Sequence, residues 1–74
     1  MGKIEDYVIQ KVKQMRVERG WSQIELSYQI GLSKSYIADV ENPKRFAKWN
    51  LSHINELAKV FGCSPKDFLP LEPL

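Results

Sequence analysis

The chain has 74 residues, a hydrophobic share of 43% and a formal net charge of +2. It is long enough for one domain (residues 1–74) with a small core, and too hydrophobic to be intrinsically disordered. A single cysteine and a single histidine exclude an internal disulfide and a Cys2His2 zinc site. Because no apolar run reaches the roughly 20 residues of a membrane span, we expect a soluble, cytoplasmic protein without a metal or other cofactor.

Glycines and serines divide the chain into helical segments. Each of Gly20, Gly31 and Gly62 is followed by one apolar residue or cysteine and then by a serine. This pattern is typical of a helix end followed by a helix start. We therefore predict an all-α, compact five-helix bundle. Its helices span residues 4–19, 22–30, 34–42 and 51–61, and Ser64 opens a last turn before a tail at residues 70–74.

Apolar residues at helical spacing predict which faces of the first and fourth helices are buried. In the first helix these positions are Val8, Val12, Met15 and Arg19, and in the fourth they are Leu51, Ile54, Leu57, Ala58 and Phe61. At the helix starts, Ser22 and Glu25 fit a capping box, and Asn50 is the predicted cap of the fourth helix.

The second and third helices are separated by three residues only, which is typical of a helix-turn-helix. Gly31 allows the positive φ that such a turn requires, and Ser27 is small enough to face the third helix. The apolar residues predicted to fill the corner are Leu26, Ile30, Ile37 and Val40. The sequence therefore predicts a helix-turn-helix over residues 22–42, with its centre between Gln23 and Val40.

The pattern Gln23-x-x-Leu26-Ser27-x-x-Ile30-Gly31-Leu32-Ser33-x-x-x-Ile37-x-x-Val40-Glu41-Asn42 resembles the Cro/phage-repressor-type (xenobiotic-response-element-type) helix-turn-helix regulators. The similarity continues in Met15-Arg16-x-x-x-Gly20-Trp21-Ser22-Gln23 and in Leu57-Ala58-x-x-Phe61-Gly62-Cys63-Ser64-x-x-x-Phe68-Leu69. The resemblance implies a lambda-repressor-like fold that binds the major groove of double-stranded DNA. Ser27 replaces the usual alanine, Pro43 a frequent glycine, and the loop before the fourth helix is longer than usual.

The outer face of the third helix carries the predicted base-reading residues. In this fold the start of that helix lies closest to the base edges. Lys34 can donate to guanine and Ser35 can pair with several bases. Tyr36 lies at the edge of the face, where it can reach a phosphate or a sugar. Asp39 can accept from cytosine or hold Lys34 in place.

Predicted contacts to the DNA backbone flank this face. The resemblance implies that Gln23 binds the backbone, and the positive end of the second helix favours a phosphate there. It implies the same for Ser22, Ser33 and Asn42, while Lys44, Arg45 and Lys48 are the predicted charge partners of the flanking strand. The resemblance also implies a structural ion pair between Arg16 and Glu41, which would tie the first helix to the third.

The preferred hypothesis is a sequence-specific transcriptional regulator, a repressor that is associated with the nucleoid when bound to DNA. One reading helix covers too few base pairs for useful specificity, so we expect a homodimer on two-fold half-sites. The predicted dimer surface lies on the fourth and fifth helices, with Trp49, Phe68, Leu69, Leu71 and Leu74. Catalytic constellations are absent from the sequence, so we do not expect an enzyme, and no small-molecule effector is expected.

Several alternatives remain at this point. Within the same class, the chain could be a controller of restriction–modification genes or an antitoxin. A protein–protein interaction module would favour apolar or acidic residues at positions 34, 35, 44, 45 and 48, where the chain has Lys, Ser, Lys, Arg and Lys. Non-specific nucleoid or RNA binding would need more positive charge and exposed aromatic residues.

Predictions for five other residues concern packing rather than DNA binding. We expect Trp21 and Phe61 in the core, and Cys63 as a small buried filler. His53 is predicted to be exposed or weakly packed. Trp49 is predicted to lie either in the core under the fourth helix or in a dimer contact.

Overall fold

The computed structural model describes residues 2–74, which form four α-helices and one short 3₁₀ helix and contain no strand. Helix α1 spans Lys3–Glu18, α2 spans Gln23–Ile30, α3 spans Lys34–Glu41 and α4 spans Leu51–Phe61, and the 3₁₀ helix spans Pro65–Phe68. The all-α prediction is confirmed. The count of five helices is corrected to four α-helices and a 3₁₀ helix, because the last segment ends before Pro70 and has room for a single turn. Among the described helices none is both long and apolar enough to cross a membrane.

Helices α2 and α3 begin after the predicted serines, and α2 ends at the predicted glycine. Gly31 ends α2 with φ +74°, a conformation that a side chain at this position would strain. Ser22 and Ser33 cap the two helices, since their Oγ atoms accept the backbone N–H groups of Glu25 and Tyr36. These three residues therefore fix where the helix-turn-helix begins and turns.

The capping box predicted at the start of α2 is only half formed. Ser22 accepts the N–H of Glu25, but the Glu25 carboxylate accepts from Gln29 Nε2 at 3.1 Å. Gln29 lies one turn along the same helix face, so it is a nearer partner for this carboxylate than the Ser22 backbone. The predicted return contact from Glu25 is therefore wrong.

The start of α4, in contrast, has a complete capping box. Asn50 Oδ1 accepts the N–H of His53 at 2.8 Å, and His53 Nδ1 accepts the N–H of Asn50 at 3.2 Å. The His53 ring also packs against Tyr36 and Trp49, with ring centroids 5.4 and 5.6 Å apart. The prediction of an exposed or weakly packed His53 is wrong, because this residue connects α4 to α3 and to the loop between them.

The core is formed where all four α-helices and the 3₁₀ helix meet. Its buried apolar residues are Val8, Ile9, Val12, Leu26, Ile37, Val40, Trp49, Ile54, Leu57, Ala58, Phe61 and Phe68. In the helix-turn-helix corner, Ser27 is buried beside Leu26 and donates its hydroxyl to the carbonyl of Ile24 at 2.6 Å. The corner is therefore filled largely as predicted, with Ile30 at its partly buried edge.

Two residues of the predicted buried faces lie outside the core. Leu51 is the first residue of α4 and is 86% exposed, because the apolar periodicity continues one turn beyond the packed part of the helix. Arg19 follows α1, and its guanidinium lies over the rings of Trp21 and Phe61 and donates to the Phe61 carbonyl. Arg19 therefore closes the carboxyl end of α4 instead of filling the interior.

Candidate nucleic-acid interface

The first turn of α3 presents Lys34 and Ser35 to solvent, while Ile37 and Val40 bind the opposite face of the helix to the core. Within residues 2–74, neither the Lys34 ammonium nor the Ser35 hydroxyl has a hydrogen-bond or ion-pair partner. Two donors are thus presented at the end of the helix that approaches base edges in a helix-turn-helix.

Tyr36 lies beside these residues but is directed toward the loop that follows α3. Its hydroxyl donates to the backbone carbonyl of Lys48, and its ring contacts Trp49 edge-on at 6.0 Å between centroids. The hydroxyl proton is used inside the protein, so the geometry gives Tyr36 a positioning role. The predicted contact of Tyr36 with a base, phosphate or sugar stays a prediction, and this hydrogen bond supports a positioning role beside it.

Asp39 pairs with Arg45 and not with Lys34, which was one of its two predicted roles. Asp39 Oδ1 and Arg45 Nε are 3.8 Å apart, and both side chains remain largely open to solvent. An exposed ion pair of this kind contributes about 0–1 kcal/mol. Arg45 can therefore leave Asp39 for a phosphate at little cost in free energy.

A nearly buried network holds the start of α2 against the end of α3. Arg16 donates to both carboxylate oxygens of Glu41 at 2.9 Å, and these side chains are only 10% and 4% exposed. Arg16 also donates to the carbonyl of Trp21 at 2.6 Å, and Gln23 Nε2 donates to Glu41 Oε1 at 3.1 Å. The side chain of Gln23 is thereby held in one orientation at the positive end of the α2 dipole.

The remaining predicted backbone contacts retain donors. Ser22 and Ser33 use their oxygens as acceptors for their own helices, so the hydroxyl hydrogens are still available. Asn42 Oδ1 accepts the N–H of Lys44 at 3.0 Å, which leaves the Asn42 amide N–H groups to donate. The side chains of Lys44, Arg45 and Lys48 are exposed on the following loop. Hydroxyl, amide and cationic donors of this kind are suited to phosphate oxygens.

The sequence analysis did not predict the roles of two residues near this interface. His53 on α4 packs against Tyr36 and Trp49. The sequence feature that indicates a role for His53 is its position three residues after the helix cap Asn50, where a capping box places its second residue. Phe46 is 86% exposed in the loop that also carries Lys44, Arg45 and Lys48. The sequence feature that indicates Phe46 is an aromatic residue placed among these cations.

A short helix, a glycine turn and a second helix with exposed donors at its start define a helix-turn-helix DNA-binding domain. The model of the Cro/C1-type HTH DNA-binding domain family matches residues 11–73, and the chain belongs to this family. The predicted family is therefore confirmed, as is the predicted function: the protein is a DNA-binding transcriptional regulator.

Two relatives illustrate the membership. The chain is 36% identical over 61 residues to the control protein C.BamHI of Bacillus amyloliquefaciens, covering 81% of this chain and 73% of that protein. It is 39% identical over 56 residues to a hypothetical transcription factor of Neisseria meningitidis, covering 73% of this chain and 49% of the factor, so it spans about half the length of that relative.

Solved structures agree with these similarities. The crystal structure of the Neisseria factor has a TM-score of 0.78 at 32% identity, covering 92% of this chain and 76% of that one. The restriction-modification controller protein C.AhdI from Aeromonas hydrophila has a TM-score of 0.71 at 28% identity, covering 85% of this chain and 92% of that one.

Proposed function

We propose that the protein binds a two-fold symmetric DNA operator as a homodimer, with Lys34 and Ser35 reading bases in the major groove. The observation that carries this proposal is the first turn of α3, where both donors are exposed on a helix whose other face is fixed in the core. Asp39 is a secondary reader, since a cytosine amino group can take the place of Arg45 beside its carboxylate.

The flanking donors fix the position of α3 on the duplex. Gln23 and the hydroxyls of Ser22 and Ser33 bind one strand at the starts of α2 and α3. The second set of phosphate contacts consists of Asn42, Lys44, Arg45 and Lys48 at the end of α3 and in the loop. Tyr36 acts indirectly, since it holds the carbonyl of Lys48 and with it the loop.

The second copy of the chain binds an apolar patch formed by Ile4, Leu51 and Leu69, three exposed residues around a shallow cavity of about 360 Å³. Trp49 lies at the base of this cavity and is 7% exposed, and Phe68 is fully buried. Of the predicted dimer surface, Phe68 therefore has no exposed side chain to contribute, and Trp49 contributes the floor of the cavity.

Two observations and the symmetry of the proposed operator support a second copy as the occupant. The patch is mostly apolar and is lined by α1, the end of the loop with Lys48, α4 and Leu69, and by no residue of α3. Leu71 and Leu74 of the predicted dimer surface are also exposed. A two-fold operator requires a dimer in which both copies of α3 remain accessible to DNA.

Within the class of regulators, we propose a controller of restriction–modification genes that acts at the nucleoid in the bacterial cytoplasm. The support is that C.BamHI is described as a control protein and C.AhdI as a restriction-modification controller protein. A promoter fusion carrying the operator would show whether the protein represses or activates transcription.

The proposal is tested by selecting bound sequences from a randomised duplex pool at about 150 mM salt. A two-fold symmetric consensus, bound at least about a thousandfold more tightly than random DNA, is the expected result. Equal affinity for all sequences with a steep salt dependence would instead indicate a non-specific binder. If the folded protein bound no DNA at all, a protein–protein interaction module would be the better account.

A further inference from the structure

The loop between α3 and α4, residues 42–50, ends in an exposed aromatic tip. Phe46 is 86% exposed, and its neighbours in the chain include Lys44, Arg45 and Lys48. A single exposed apolar residue is common on protein surfaces and by itself indicates nothing. Here the ring stays uncovered although it borders a cavity of about 490 Å³ between the loop, α1 and the end of α3, and the loop that carries it is anchored.

Both sides of the loop tip are anchored. Before the tip, Asn42 Oδ1 accepts the N–H of Lys44 and the Asn42 carbonyl accepts the N–H of Arg45, each at 3.0 Å. After it, Tyr36 holds the carbonyl of Lys48, and the side chain of Trp49 is buried in the core. Ala47 also packs on the core, so the segment that carries Phe46 is tied at both ends.

These anchors also fix the loop relative to the DNA-reading helix. Tyr36 and Asn42 lie on α3 and at its end, and Arg45 reaches Asp39 on the outer face of α3 at 3.8 Å. When α3 occupies the major groove, the loop must therefore lie at one phosphate wall of that groove. On the other side of that wall lies the minor groove.

The chemistry of Phe46 and its neighbours indicates which kind of partner the loop binds. The benzyl group of Phe46 neither donates nor accepts a conventional hydrogen bond, so it gains free energy only by burial against apolar surface. Three nearby cations complement a polyanion, and the Asp39 carboxylate is already paired with one of them. The minor groove of duplex DNA has deoxyribose rims beside its phosphates, and proteins that bind this groove frequently place apolar side chains in it.

We propose that Phe46 packs against deoxyribose in the minor groove that flanks each half-site, while Lys44 and Lys48 bind the phosphates on either side. The inference rests on the proposed operator binding and adds a contact that depends on groove shape rather than on charge. Because the minor groove is narrow in A·T tracts, this contact makes affinity depend on base composition outside the segment read by α3.

The test compares Phe46→Ala with the unaltered protein on the selected operator. We expect roughly tenfold weaker binding, as for the loss of one partly buried aromatic side chain, with the same dependence on salt. Hydroxyl-radical footprinting should lose protection at the deoxyribose positions flanking each half-site and keep it within the half-site. Phe46→Leu should retain most of the affinity, since its side chain is also apolar.

Tyr28→Ala is the matched control, because Tyr28 is a 77% exposed aromatic residue on α2 that the interface does not use. It should bind the operator as the unaltered protein does.

If the unaltered protein binds its operator specifically and Phe46→Ala has the same affinity and footprint, the inference is overturned and the proposed function stands. If the unaltered protein selects no operator, the proposed function itself fails. A Phe46→Ala protein with a weaker dimer and an unchanged footprint at saturating protein would assign Phe46 to a protein contact and also overturn the inference.

Discussion

Arg16 and Glu41 join α1 to the last residue of α3 through two parallel hydrogen bonds of 2.9 Å, with both side chains nearly buried. Glu41→Ala leaves the Arg16 guanidinium without its charge partner and removes the acceptor of Gln23 Nε2. We expect a loss of about 3 kcal/mol in the free energy of unfolding. In a domain of this size, the melting temperature then falls by at least several degrees.

Thermal unfolding followed by circular dichroism measures this change. Glu56→Ala is the matched control, because it removes the exposed ion pair with Lys59 at 3.2 Å and should change stability by less than about 0.5 kcal/mol. An unchanged melting curve for Glu41→Ala would show that the buried pair does not stabilise the fold.

Lys34 and Lys44 should affect DNA binding differently. Lys34→Ala removes the proposed base contact, so we expect a loss of about 1–3 kcal/mol on the operator and relaxed preference at one base pair of each half-site. Lys44→Ala removes a proposed phosphate contact, so affinity should fall for all sequences alike and the salt slope should decrease by about 1 per protomer. Titrations over a range of salt concentrations, on operator and random DNA, separate the two effects. Identical behaviour of the two variants would argue against Lys34 as a base reader.

Tyr36→Phe distinguishes a positioning residue from a base reader. The substitution removes the hydrogen bond to the Lys48 carbonyl and keeps the ring contacts with Trp49 and His53. We expect stability to fall by about 1 kcal/mol or less and operator affinity to weaken, with the selected consensus unchanged. Repeating the selection with the variant provides the measurement. A new base preference at one position would instead support the direct DNA contact of Tyr36 that the sequence predicts.

Leu51→Glu tests the proposed dimer surface. Leu51 is 86% exposed and opens α4, where a negative charge is favourable for the helix, so the monomer fold should be preserved. In a dimer the carboxylate would be buried without a partner, and we expect the dimer dissociation constant to rise roughly tenfold or more. Sedimentation equilibrium measures this constant, and Tyr28→Glu serves as the exposed control on α2. Equal dissociation constants for both variants would place the dimer contact elsewhere.

Cys63 should react more slowly than an unfolded cysteine at neutral and mildly alkaline pH. Burial raises the pKa of the Cys63 thiol, Asp67 raises it further and Arg19 opposes the rise. The unfolded chain therefore loses this proton at a lower pH than the folded protein. The free energy of unfolding should decline as pH rises from the ordinary thiol pKa to the higher folded value.

The pH profile of iodoacetamide alkylation, recorded for the native protein and in urea, measures the shift of the Cys63 pKa. The native profile should lie at higher pH. A native profile at the same pH as in urea, or below it, would contradict the assigned effect of burial.

The boundaries of the helix-turn-helix follow from short-range chemistry, which explains why the sequence predicts them well. Gly31, Ser22 and Ser33 act within one turn of their own positions, so their roles do not depend on the rest of the fold. Leu51 and Arg19 were misassigned because periodicity indicates a helix face but not where the neighbouring elements stop covering it.

Contacts between distant segments account for the other differences. Tyr36 has a partner twelve residues away in the loop, and that loop is held in place by Trp49 in the core. No local pattern specifies this distance, so Tyr36 was predicted from its helix face alone. The pairing of Asp39 with Arg45 depends in the same way on the path of the loop. The Arg16–Glu41 pair was anticipated through family resemblance and not through spacing.

Helix α3 assigns its two faces to separate tasks. Ile37 and Val40 carry its attachment to the core, while Lys34 and Ser35 contribute nothing to that packing. Substitutions on the outer face should therefore change which operator is recognised with little effect on folding. Related proteins can therefore diverge in the operator that they recognise while the fold stays the same. Two paralogues in one cell can come to bind different operators through a few substitutions on the outer face of α3.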